Sequence, residues 1–320
     1  MAQAQTSSQT KSPGGSQGRS QGGPKIGLAL GSGVGRGWAH IGVLKGLEAA
    51  GIEIDVVAGT SIGALVAGVH LAGHLDALET WARSLNRMRI MRYLDLSLQS
   101  GGMIGGRRLG RILNENLGDL QIEQLPKPFI IVATELATGH EIWLRQGHLV
   151  EALRASYALP GIFPPVELDG RPLVDGALVN PVPVSVCRAM GARLVIAVNL
   201  NADMLGAERA QNGGGQSSHG KDKPGENGGE KGGAGMLESL FRRDSNPSMF
   251  NVMASALNIL QDRLSRSRLA GDPPDVTIAP KVGHIGLLDF DQAAELIEIG
   301  EQAVQSALPS LNEALTILRA

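Results

Sequence analysis

Residues 55–68 read DVVAGTSIGALVAG, and the fold turns on how they are interpreted. Asp55, Val56, Val57 and Ala58 form a short strand-like run, which Gly59-Thr60-Ser61-Ile62-Gly63 interrupts. Beyond the break Ile62, Leu65, Val66 and Val69 recur at helical spacing. A G-x-S-x-G sequence between a strand and a helix is the setting of a nucleophile elbow. Gly59 and Gly63 would let strand and helix approach each other, with Ser61 projecting at the apex beside the helix N-terminus. The same residues also suit a plain glycine-rich turn in which Ser61 only caps the helix. The neighbouring stretches decide between the two.

Composition narrows the choice. A chain of 320 residues with 42% hydrophobic content can bury one large core or two modest ones. A net charge of −2 gives no nucleic-acid footprint, and 3% aromatic residues offer no stacking platform for single strands. Cys187 is the single cysteine, so neither an intrachain disulfide nor a cysteine metal site is available. The most apolar stretch, residues 62–69, is too short to span a bilayer. Residues 1–24 are rich in Ser, Gln and Gly without an apolar segment, and read as a disordered tail on a cytoplasmic protein.

Further along, KIGLAL (25–30) reads as a buried first strand, and Ile41, Leu44 and Leu47 mark an amphipathic helix. The loop between them is Gly31-Ser32-Gly33-Val34-Gly35-Arg36-Gly37. It fits no dinucleotide fingerprint, because Arg36 and Trp38 stand where glycines are needed, and it has no P-loop lysine in register. It does present unobstructed amides and a cation at a helix N-terminus, which suits an anionic oxygen; close packing of helix on sheet is the plainer explanation. Residues 75–111 interleave seven arginines with apolar residues. They suit a solvated face better than a lid or a lipid-docking surface. FIIVATE (129–135) is another apolar strand, followed by a hairpin at 138–141, a short helix over 149–156 and the rigid apolar loop ALPGIFPP (158–165). A turn at Asp169-Gly170 leads to Asp175-Gly176-Ala177, then a helix to Met190 and a strand over 192–199. Residues 206–235 hold eleven glycines and almost nothing apolar. A long helix over 249–269, a strand at 275–280 and a helix over 291–307 complete the chain. Alternating strands and helices predict a three-layer α/β fold, a mainly parallel sheet with helices on both faces.

Ser61 needs a base. Asp175 followed by His284 satisfies a triad order, yet nothing ties His284 to Ser61, and His40 suits packing or capping in the first helix. Asp175 follows a strand and precedes Gly176, which would set a carboxylate at the carboxyl edge of the sheet, where sites form in open parallel sheets. A turn or capping role is the alternative. The glycine loop with Arg36, the elbow at Ser61 and the D-G-A at Asp175, with LPGIFP ahead of it, occur in an order that closely resembles the patatin-like phospholipases. The likeness is in particular to the bacterial branch related to the catalytic domain of neuropathy target esterase. The resemblance covers roughly residues 25–201, with the helix around 258–270 and the segment to Phe290 resembling that branch's C-terminal part.

The resemblance implies a patatin-like fold and a serine acyl-ester hydrolase acting on lipids, of phospholipase or lysophospholipase type, with no metal or cofactor. It implies Ser61 as nucleophile and Asp175 as proton acceptor in a Ser–Asp dyad, with Gly59 and Gly63 shaping the elbow and Gly176 and Ala177 completing the acid motif. Gly33, Val34 and Gly35 would supply the oxyanion amides, with Arg36 adding positive charge. Val34 stands where the family pattern G-G-G-x-[KR]-G has glycine, and its side chain narrows the approach. The expected partner is a lipid ester, with peripheral membrane contact and no nucleic acid; a catalytically idle regulatory or scaffold protein of the same fold is the competing reading. The expected organisation is a tail (1–24), a catalytic core (25–201), a disordered Gly-rich insert (202–235) and a C-terminal helical part (236–320) packing on the core. Deleting residues 207–235 should therefore leave melting temperature and ester turnover nearly unchanged; a large loss of either would show that the insert belongs to the folded unit.

Overall fold

A computed structural model describes residues 23–86, 88–90, 107–203 and 249–320. The expected tail up to residue 22, part of the arginine-rich stretch and the Gly-rich insert lie outside the described residues. The strands are β1 (Lys25–Leu30), β2 (Val56–Thr60), β3 (Phe129–Glu135), β4 (Glu141–Leu144), β5 (Val166–Leu168), β6 (Arg171–Asp175), β7 (Ala192–Val198) and β8 (Val276–Ile278). They form one sheet in the order β5-β6-β3-β2-β1-β7-β8, with β4 paired to β3. The helices include α1 (Ala39–Ala49), α2 (Ile62–Leu71), α3 (Leu75–Arg83), α4 (Arg107–Leu117), α5 (Leu149–Ser156), α6 (Val184–Ala189), α7 (Met249–Gly271) and α8 (Ala293–Arg319).

The two-residue period of the strands sorts the core into two layers. Ile26, Leu28 and Leu30 of β1, Phe129 and Ile131 of β3, and Leu194, Ile196 and Val198 of β7 pack on one side with α1, α2 and α8. The opposite side carries smaller residues, Ala29, Val56, Ala58, Val132, Val195 and Ala197, under Val184, Val186 and Cys187 of α6. Small residues bring α6 close: a Cβ on Gly27 would lie 2.9 Å from the Cys187 Cβ. Cys187 is a buried structural thiol, and burial pushes its pKa up to about 12.

Strands β3, β2, β1, β7 and β8 are mutually parallel, as expected, but β6 enters antiparallel to β3. This changes how Asp175 reaches the carboxyl edge. β6 forms a hairpin with β5 through Asp169 and Gly170, both at positive φ (52° and 72°), and descends towards the sheet from beyond that edge. Asp175 pairs with Ala133 of β3, one residue past Val132, the partner of Thr60 on β2. Val132 and Ala133 pair with β4 on their other edge, so β2 and β6 follow each other along one edge of β3, and Ser61, the residue after Thr60, meets Asp175 where the two strands end.

The last helix also differs from expectation, running to Arg319 through Pro309. Proline ordinarily breaks a helix interior, but Leu311 and Leu315 beyond it are buried in the main core, which offsets the lost hydrogen bond. Helices α1 and α8 meet almost backbone to backbone. A Cβ on Gly42 would lie 1.9 Å from the Ile297 carbonyl oxygen, and one on Gly300 would lie 2.1 Å from that of Ala39. Gly42→Ala should therefore lower stability by about 1–3 kcal/mol despite alanine's better helix propensity. Chemical denaturation measures this; an unchanged or stabilised variant would show that the two helices separate freely.

Candidate active site

The elbow is built by exclusion of side chains. A Cβ on Gly59 would sit 2.5 Å from the Ala64 Cα, and one on Gly63 would sit 2.3 Å from the Leu30 carbonyl oxygen. Between them Ser61 adopts φ 57° and ψ −126°, a conformation ordinarily costing about 1–3 kcal/mol. Backbone and side-chain bonds hold it there. The Ser61 amide donates to Ser156 Oγ (2.8 Å), and Ser156 Oγ donates to the Val132 carbonyl (2.6 Å). Thr60 Oγ1 donates to the Asn180 carbonyl at 2.8 Å.

Ser61 Oγ donates to Asp175 Oδ2 at 2.6 Å. Asp175 is fixed by three further bonds, one to its carboxylate and two to its backbone. Its Oδ1 accepts from the Ala177 amide (2.8 Å), its backbone amide donates to the Ala158 carbonyl (3.0 Å), and its own carbonyl accepts from Thr134 Oγ1 (2.8 Å). Asp175 is thus both a cap, through Oδ1, and the partner of Ser61, through Oδ2. Gly176 is required behind it, since a Cβ there would lie 2.2 Å from the Val132 carbonyl oxygen. Asp175 is 1% exposed. Burial pushes its carboxyl up to about 7, and the bonds from Ser61 and Ala177 offset this only in part. A carboxylate of this basicity can accept the proton of the hydroxyl bonded to it as that oxygen attacks an electrophile.

His40 and His284 are engaged elsewhere. His40 is fully buried and its Nε2 lies 2.7 Å from the Gly31 carbonyl. Burial lowers its pKa to about 4, so the ring is neutral at physiological pH and Nε2–H donates to that carbonyl. His284 Nε2 lies 2.9 Å from Glu295 Oε1 at the surface.

The glycine loop divides into amides that are used and amides that are free. Gly35 corrects the expectation of an oxyanion donor, because its amide donates to the Leu287 carbonyl at 2.8 Å. The Arg36 amide bonds the Gly33 carbonyl, and its buried guanidinium donates from Nε to the Ile285 carbonyl at 2.7 Å. Burial lowers the Arg36 pKa to about 10 against the pull of Asp289, so it remains a cation, engaged with the C-terminal loop. Among the described residues the Gly33 and Val34 amides have no acceptor. Val34 sits at φ 51°, a left-handed conformation that a β-branched residue rarely adopts and a glycine adopts freely. Its side chain packs against the buried Leu159–Ile162 cluster beside the loop, as do those of Phe163, Leu257 and Leu288. Ser156, Thr134, the 285–290 loop and α7 were not legible as site residues, because no local motif marks contacts made across so much chain.

Comparisons with known proteins identify the chain's family. A sequence model described as patatin-like phospholipase matches residues 28–188, about half of the chain. An uncharacterized NTE family protein of Mycobacterium tuberculosis is 42% identical over 174 residues, 54% of this chain and 48% of that protein. A second NTE family protein, of Mycobacterium bovis, is 31% identical over 278 residues, 85% of this chain and 44% of its own length. Human patatin-like phospholipase domain-containing protein 6 is 36% identical over 175 residues, 52% of this chain and 13% of that protein. The chain spans about half the length of the mycobacterial relatives it matches, or less. A crystal structure of VipD from Legionella pneumophila aligns over 90% of this chain and 67% of that one at a TM-score of 0.45 and 12% identity, too loose a likeness to argue from.

Asp175→Asn tests the buried carboxyl through stability. Its folded pKa is raised, so between pH about 4 and 7 the folded chain holds a proton that the unfolded chain has released. The wild type therefore loses stability as pH rises through this window, by up to about 4 kcal/mol. Asparagine carries no such penalty: the variant should match the wild type near pH 4 and be more stable at pH 8. Equal denaturation midpoints at both pH values would contradict the raised pKa. The family-model match, with these relatives, places this chain in the patatin-like phospholipase family, on the bacterial branch related to neuropathy target esterase.

Proposed function

We propose that the protein is a serine acyl-ester hydrolase acting on lipid esters, of phospholipase A or lysophospholipase type, through a Ser61–Asp175 dyad. The observation that carries this reading is the 2.6 Å contact between Ser61 Oγ and a carboxylate held at a pKa of about 7. Asp175 takes the proton of Ser61 as the oxygen attacks the ester carbonyl. The Gly33 and Val34 amides receive the developing oxyanion, where one donor is ordinarily worth about 3–4 kcal/mol. Asp175 returns the proton to the departing alcohol, leaving an acyl-serine. It then removes a proton from water, which attacks the acyl-serine, and passes that proton back to Ser61 as the carboxylic acid leaves.

Two features bear on the substrate. The apolar cluster around Val34 favours an acyl chain over a polar group beside the oxyanion loop. Among the described residues no helix is long and apolar enough to cross a membrane, so lipid would be met at a surface. Contact with that surface remains part of the proposal; α7 leaves Val252, Ile259 and Leu260 exposed on one side.

Hydrolysis of a soluble short-chain ester is the test. Ser61→Ala and Asp175→Asn should each lose at least about a thousandfold in kcat/KM while remaining folded. His284→Ala should retain wild-type turnover. The wild-type rate should rise with pH through about 7 and then level, since the base acts once deprotonated. Activity surviving in folded Asp175→Asn, or lost in folded His284→Ala, would overturn the dyad. A folded wild type that turns over no ester would favour the idle scaffold instead.

A further inference from the structure

Helix α7 lies outside the stretch matched to the family, yet one of its ridges covers the loops of the candidate site. Met253, Leu257 and Gln261 follow at intervals of four and share that ridge. Met253 closes over Gly161, where an added Cβ would lie 1.9 Å from its Cε. Leu257 packs in the apolar cluster that contains Val34. Gln261, 3% exposed, accepts a hydrogen bond through Oε1 from Ser32 Oγ at 3.2 Å, and Ser32 is itself 1% exposed. At its C-terminal end α7 is held by Arg268, which donates to Glu141 Oε2, while Glu141 Oε1 accepts from Asn180 Nδ2. The Asn180 carbonyl in turn accepts from Thr60, the residue before Ser61.

The oxyanion loop is consequently gripped on both sides of its two free amides. Downstream, Gly35, Arg36 and Trp38 bond the carbonyls of Leu287, Ile285 and Phe290. Upstream, Ser32 bonds the Pro181 carbonyl through its amide and Gln261 through its hydroxyl. We propose that Gln261 is a positioning residue for ester hydrolysis, holding Ser32 so that the Gly33 and Val34 amides stay aimed at the oxyanion formed on Ser61. This rests on the hydrolase reading above. The bond is long for an O–H···O contact, and its value lies in direction more than in strength. It is buried, so water does not replace it when Gln261 is removed, and Ser32 is left to find another orientation. Small displacements of a catalytic loop are enough to slow the chemical step.

The test combines exchange with kinetics in Gln261→Leu, Ser32→Ala and the double variant, with Arg263→Ala on the exposed side of α7 as control. Hydrogen–deuterium exchange of the peptide spanning residues 31–37 should quicken in Gln261→Leu and Ser32→Ala and not in Arg263→Ala. Both single variants should lose about tenfold in kcat with KM within about twofold, and the double variant should lose no more than the worse single. Should Gln261→Leu fail to fold, Ser32→Ala alone must show the same two changes. Unchanged exchange, unchanged kcat in an active background, or losses that multiply in the double variant would each overturn the proposal. A wild type with no ester turnover would instead sink the hydrolase reading, and this proposal with it; the exchange result shows separately whether Gln261 holds the loop.

Discussion

A carboxylate taken out of water and left within hydrogen-bond reach of a serine hydroxyl is the constraint around which the rest of this structure is arranged. Asp175 is stable as an anion only to the extent that Ser61 and the Ala177 amide stabilise it, and they do so incompletely. The same burial that costs folding energy gives the group its basicity, because an exposed carboxylate near pKa 4 would be a far weaker proton acceptor. Oδ1 is committed to a cap and Oδ2 to Ser61, so the carboxyl has one orientation.

Most of what keeps that contact is non-local. Three parallel strands bring Ser61 and the glycine loop to one edge, and an antiparallel intruder, β6, carries Asp175 to the same level. Glycines at 59, 63 and 176 remove side chains that would hold these pieces apart. The C-terminal part, beyond the matched family stretch, supplies bonds that fix the glycine loop. Val34 stores strain in that loop, which persists because both flanks are tied down.

Much of this was legible in the sequence, for identifiable reasons. Local signals are short in range, and Gly59, Ser61, Gly63 and the strand–helix switch around them are all local. The strands at 25–30 and 129–135 and the helix at 149–156 have clear periodicity and clean boundaries, and the structure gives the same ranges. The direction of β6 was not legible, because a two-residue hairpin says how β5 meets β6 but not which side of β3 receives them. Gly35 looked like a free amide because its acceptor, Leu287, is distant in sequence. Gln261 carried no signal at all: a single polar residue in an amphipathic helix reads as solvent-facing until the fold places Ser32 against it. The final helix runs on past residue 307, where the sequence reading ends it, and through Pro309, because burial of Leu311 and Leu315 overrides proline's local effect.

Covalent trapping bears most directly on the central claim, since it reads the nucleophile without depending on the substrate's identity. A fluorophosphonate should add one adduct per chain, located by peptide mass on Ser61, and the labelling rate should rise as pH passes about 7. Folded Asp175→Asn should label far more slowly at every pH. An adduct on any other residue, or labelling of Ser61 that is indifferent to both pH and Asp175, would contradict the account.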